Sequence, residues 1–195
     1  MDGKAPVETE RDIGLHELYL AIISKYKDVI EEGENLTMPQ LPLLVTPKNE
    51  LVVKKAEEIK RGFGVYNYML NFYEASIKAF YFVRDGIKEI ILPIRFWVKP
   101  EDAIRLGLGD TMDRNILLCS ILIALGNPSA KVLVRMSNGE RKVLTYYEYE
   151  DKVYMLDLKA DIRHFDSKEQ LLRSLLLNNE SGAYEFNDTL YAELD

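Results

Sequence analysis

Few side chains in this chain of 195 residues could carry covalent chemistry. Its single cysteine is Cys119, and its two histidines, His16 and His164, lie far apart in sequence. One cysteine excludes an internal disulfide and any cysteine-based zinc site, and no cofactor or metal is expected. Cys119 falls in an apolar helical run, where a free thiol is usually inert packing. Thr111 opens that run, directly after Gly107-Leu108-Gly109-Asp110. A threonine hydroxyl becomes a nucleophile only with a strong base beside it. Its commoner use at this place is as a helix N-cap, a role for which Asp110 competes, while Asp113 in the first turn suits the helix dipole. Trp97 reads as core or as the wall of a cleft, since a lone tryptophan usually buries most of its area.

The elements that must position these groups follow from periodicity. Leu15, Leu18, Ala21, Ile22, Tyr26, Val29 and Ile30 share a helical face and predict a helix over 12–32, with His16 at its half-exposed edge. Pro39, Pro42 and Pro47 then predict an extended connector, pinned by Leu41, Leu43, Leu44 and Val45. Residues 1–48 are therefore assigned to an N-terminal helix with its connector, and 49–195 to the main domain. Asn49 should cap a helix whose face is Leu51, Val52, Ala56 and Ile59. The next helix, over 66–83, is aromatic on more than one side and is expected to be central. Residues 89–98 are β-branched and aromatic enough to be partly extended, and Pro100 opens a short helix. Beyond the helix that starts at Thr111, residues 131–136 alternate as a strand. Asn138-Gly139 signals a turn, and strands are expected at 142–149 and 153–158. Ser167 should cap a helix over 167–177 with Gln170 at the boxed position, and 183–186 reads as a last strand. His164 falls to a loop or an edge. The layout is α+β: N-terminal helices and a central helix packed on an antiparallel β-sheet.

Composition narrows the class of function. A hydrophobic fraction of 47% supports a real core. No apolar run approaches the ~18 residues that a membrane span needs. The first ten residues are polar and acidic, unlike a secretory signal. The net charge of −7, from 25 basic and 32 acidic residues, argues against nucleic acid as a direct ligand. The expectation is a soluble cytoplasmic domain that contacts no membrane. Tyr146, Tyr147, Tyr149 and Tyr154 crowd the hairpin, and an outward-facing set could form a sticky polar-aromatic surface.

Four segments, in order, resemble the transglutaminase-like core: Phe80-Tyr81-Phe82-Val83-Arg84-Asp85-Gly86-Ile87, Trp97-Val98-Lys99-Pro100-Glu101-Asp102-Ala103, Gly107-Leu108-Gly109-Asp110-Thr111-Met112-Asp113 with its apolar helix to Gly126, and the hairpin ending Tyr154-Met155-Leu156-Asp157-Leu158. The likeness spans about 51–158. It implies a fold built to hold a Cys-His-Asp triad, with the cysteine at the start of the central helix. Carried over residue by residue, the cysteine position is Thr111. The histidine position falls at Lys142 to Leu144, where no histidine stands, and Asp157 matches the aspartate. A retained Asp157 then needs another partner, such as a lysine or a backbone donor.

The resemblance therefore implies a catalytically inactive member, a pseudoenzyme acting as a protein-binding or scaffold module. Some DNA-repair proteins use a triad-less version of this fold for binding. A protein partner fits the acidic charge better than nucleic acid. Two alternatives stand beside it. One is a small-molecule-binding domain using the vestigial cleft, whose candidate residues are Trp97, Asp110 and Tyr146. The other is a hydrolase or amide transferase with Thr111 or Cys119 as an unusual nucleophile.

Overall fold

The computed structural model describes residues 37–91, 97–137, 140–175 and 182–194, together with Leu20, Ser24 and Lys27. The chain separates into two units. The first comprises 1–36 with 94–97; its described residues are Leu20, Ser24 and Lys27, all helical and exposed, and a half-buried Trp97. The rest of the helix expected over 12–32, His16 included, lies outside the described residues. The second unit holds everything that follows.

It opens with a correction. The proline-rich segment read as extended forms a 3₁₀ helix, Met38–Leu44. Pro39 sits in its first turn, where the missing N–H costs nothing, and the fixed φ of Pro42 falls within the 3₁₀ range. Leu41, Leu44 and Val45 are buried as expected, but Leu43 is exposed. Helix α1, Glu50–Arg61, starts where Asn49 accepts a hydrogen bond from Leu51 N at 2.9 Å. It buries Val52, Ala56 and Ile59.

Helix α2, Tyr68–Gly86, buries Phe72, Ala75, Ser76, Ala79, Phe80 and Val83. Met69, Leu70, Tyr73 and Tyr81 stay exposed, so α2 flanks the core and is not its centre. Strand β1, Lys88–Glu89, runs parallel to β2, Leu108–Gly109. Between them lies α3, Pro100–Leu106, ended by Gly107 in the left-handed region at φ 67°. That conformation is cheap only for glycine.

The central helix is α4, Thr111–Ala124, in which every residue from Met112 to Leu122 is buried. It packs against α1, α2 and α3 on one side and against the sheet on the other. The sheet has six antiparallel strands in the order β6-β5-β4-β3-β7-β8. These are β3 Lys131–Ser137, β4 Glu140–Tyr149, β5 Lys152–Leu156, β6 Ile162–Phe165, β7 Ala183–Phe186 and β8 Tyr191–Leu194. Strands β6 and β8 were not anticipated; each is only four residues long. His164 thus sits in β6, exposed, with its ring 6.1 Å from that of Tyr154. The Asn138-Gly139 turn lies outside the described residues.

Side chains alternate across the sheet with a period of two. On one face of β4, Thr145 bonds to Asn115 of α4, and Tyr147 bonds to Ser76 of α2 at 2.7 Å. On the other face Leu144 and Tyr146 join Leu133, Val153 and Met155 beneath Leu171 and Leu175 of α5, Lys168–Leu175. The sheet is therefore covered on both faces, by α4 on one and α5 on the other, and the α+β class holds.

Candidate functional site

The start of α4 is built by two aspartates. Asp110 is the N-cap, accepting from Asp113 N at 2.8 Å, and Asp113 returns the bond to Asp110 N at 2.9 Å. Thr111 is thereby the first helical residue and not the cap. The second oxygen of Asp113 accepts from Val98 N at 3.1 Å, tying α4 to the segment before α3. Asp113 is fully buried, and burial together with the adjacent Asp110 charge raises its carboxyl well above the ordinary range. Gly109 leaves little room here: a Cβ on it would stand 3.1 Å from that of Asp113, so the helix start would have to give by a few tenths of an ångström.

The half-buried Thr111 donates its hydroxyl hydrogen to Glu89 Oε1. The same carboxylate takes Lys159 Nζ at 3.0 Å and Arg114 Nη1 at 3.2 Å. Arg114 is 4% exposed; its other terminal nitrogen reaches Arg84 O at 2.9 Å, while its Nε has no partner. The Thr111 hydroxyl, against the cost of partial burial, and the two cations hold the Glu89 carboxyl below its usual range. A carboxylate so stabilised is a weak base, far too weak to deprotonate a threonine. Sequence reasoning missed Glu89. Only its place on β1, which pairs with the strand leading into α4, brings it to Thr111.

Asp157, directly after β5, is 4% exposed and pairs with Lys142 Nζ at 3.0 Å. Its other oxygen accepts from Lys159 N at 3.0 Å. Both expected kinds of partner, a lysine and a backbone donor, are present. The lysine comes from the interval where the resemblance puts a histidine. Alternation places Lys142 on the face of Leu144 and Tyr146. The residue of that interval on the α4 face is Val143, apolar and 5% exposed. Lys159 links the two clusters, its backbone on Asp157 and its ammonium on Glu89. Arg141 Nη2 adds a longer contact, 3.8 Å, to Asp110.

Two further candidates, Tyr146 and Cys119, do not join this site. Tyr146 is fully buried on the α5 side, its hydroxyl 2.6 Å from Glu185 Oε2. Its place in a cleft is thus corrected by the period of the strand. Tyr147 and Tyr149 are buried too and Tyr154 is half-buried, so the hairpin presents no row of outward tyrosines. Trp97 belongs to the first unit, and the site described here is built from the second alone. Cys119 is fully buried, and burial pushes its thiol far above the ordinary range.

Neither a protein-family model nor a curated protein matches this chain. Among solved structures, Legionella pneumophila LapG in its calcium-bound form is similar at a TM-score of 0.40 and 15% identity, over 72% of this chain and 87% of that one. The EGTA-treated form gives 0.41 and 14%, over 76% and 90%. A further LapG structure gives 0.41 and 14%, over 76% and 88%. A likeness of this depth says nothing of the chemistry at Thr111.

Proposed function

We propose that this chain is a catalytically silent, transglutaminase-like module that works by binding a protein partner in the cytoplasm. The observation that carries the reading is the state of Thr111. At the place where such a fold would present its nucleophile, a hydroxyl gives its hydrogen to a carboxylate already neutralised by Arg114 and Lys159. Among the described residues no imidazole partners Thr111. The α4 face of the expected histidine interval offers the methyl groups of Val143. Asp157, which would orient a base, is occupied by Lys142. The lone thiol is sealed in the core, so the alternative of a hydrolase or transferase with Cys119 as nucleophile has no accessible atom to act through.

Support for a protein partner comes from charge and surface. The chain is acidic overall, and Val65 in the turn before α2 and Met69 and Leu70 in its first turn are 89%, 63% and 78% exposed. Clustered exposure of large apolar side chains is a mark of interaction surfaces. The test is capture with the full chain from its native host at physiological salt, followed by reconstitution with the purified partner. A saturable complex that survives Thr111→Val supports the reading. Failure to reconstitute any captured protein, or turnover of an amide or ester substrate that Thr111→Val abolishes, overturns it.

A further inference from the structure

We infer that the Asp110–Asp113 pair is a proton-operated latch on Val98, closed while Asp113 keeps its proton and loosened when that proton leaves. Val98 is the residue at which the chain, after Trp97, re-enters the second unit. The latch goes beyond the binding-module reading and does not depend on it.

The geometry sets two demands against each other. Asp113 is fully buried, and its two oxygens accept from Val98 N at 3.1 Å and from Asp110 N at 2.9 Å. Val98 is 4% exposed, so its N–H, once parted from Asp113, must find water instead. Two backbone donors favour a carboxylate at Asp113. Burial and the neighbouring Asp110 charge oppose it, and they prevail.

No cation relieves the conflict. Among the described residues none pairs with Asp113. Arg141 of β4 reaches Asp110 alone, at 3.8 Å. Arg114 of α4 and Lys159 turn to Glu89 of β1. On α3, Asp102 holds Arg105 at 3.5 Å, and Glu101 takes the Thr46 hydroxyl at 3.5 Å.

With its proton, Asp113 is neutral, and the helix start carries only the charge of Asp110. When the proton passes to water, two carboxylates stand together and one of them is sealed from solvent, a costly state without a cation. Parting from Val98 N lets water reach Asp113 and relieves that cost. Opening therefore releases a proton. It becomes easier by up to about tenfold per pH unit between the ordinary aspartate value of about 3.9 and the raised folded one.

The test is amide hydrogen exchange of the full chain, followed by NMR from about pH 5 to 8 and corrected for the intrinsic rate. The wild-type Val98 amide should lose protection by up to about tenfold per pH unit. Leu117, in the middle of α4, should stay more protected than Val98 throughout. Asp113→Asn offers one acceptor and a fixed donor, as the protonated acid does, so its Val98 protection should not depend on pH. Asp110→Asn keeps a capping oxygen and so guards against loss of fold. Its Val98 protection should level off at a lower pH than in the wild type. Protection that is flat or rises with pH in the wild type overturns the latch. So does a slope that persists in Asp113→Asn, or a common rate for Val98 and Leu117, which would mean global opening. None of these results bears on partner capture or turnover, by which the binding-module reading is judged.

Discussion

Lys142 and Asp157 form an ion pair at 3.0 Å across the end of the β4–β5 hairpin. The carboxylate is 6% exposed and the lysine 44%, so one charge is committed and the other still reaches solvent. Asp157 also fixes the turn after β5 through Lys159 N. Asp157 thus holds the hairpin end together. Lys142→Met should cost about 1 kcal/mol, the range of a pair with one exposed member. Asp157→Ala should cost about 2 kcal/mol, because it also strands a backbone donor. Urea unfolding of both variants checks the order. A larger loss for Lys142→Met would mean that the lysine, and not the turn, carries the hairpin.

On the α5 side Glu185 is buried, 2% exposed, and paired with Lys131 at 3.0 Å, Lys168 at 2.8 Å and Tyr146 at 2.6 Å. Burial alone would raise its carboxyl, but hydrogen bonds from Lys168, Tyr146 and Lys131 outweigh it and hold the carboxyl below the ordinary range. Its folded pKa therefore lies under its unfolded one. The stability it contributes is present above about pH 4.3 and is lost as pH falls through the folded value. Glu185→Gln should cost about 3 kcal/mol at pH 7 and much less at low pH. Urea midpoints measured across pH 2–7 give the answer, and a pH-independent loss would contradict this assignment.

Asp113 titrates in the opposite sense. Burial first, and then the Asp110 charge, raise its folded pKa. The stability linked to its proton is full below about pH 3.9 and is lost as pH rises through the folded value. Carboxyl carbon NMR should find Asp113 titrating above the ordinary aspartate range. Asp110→Asn should lower that midpoint by removing the neighbouring charge. An unchanged midpoint in Asp110→Asn would leave burial as the sole cause.

Cys119 should react with a maleimide only through unfolding. Its thiol is fully buried and raised far above the ordinary range by that burial. The labelling rate should therefore rise with urea in step with the loss of structure. Rapid labelling in native buffer would show that the core around α4 opens locally.

The fold was legible wherever one period dominated. The Asn49 cap, the helix after Thr111 and the alternation of Val132 and Val134 are local signals, and each stands where the pattern predicted. Pro42 misled because a 3₁₀ helix accepts a proline that an α-helix would reject. The exposure of Met69 and Leu70 misled for the opposite reason: apolar side chains on a helix do not say which of its faces meets the core. Strands β6 and β8 are too short to carry a readable period. At the site, the partner of Asp157 could be anticipated as a class. Glu89 could not, because a pairing of two strands of two residues each, separated by all of α3, delivers it to Thr111. Tyr146 stands on the predicted strand, but a strand by itself does not say which of its two faces meets α4, and Tyr146 lies on the α5 face.

The most direct test of the account is the reactivity of position 111. Intact-mass spectrometry of the full chain after exposure to an activated acyl probe should show no adduct at Thr111. Thr111→Cys, with a thiol at the same helix start, should be modified by iodoacetamide under the same native conditions, proving the position reachable. A stoichiometric acyl adduct on Thr111, lost in Thr111→Val, would contradict the account outright.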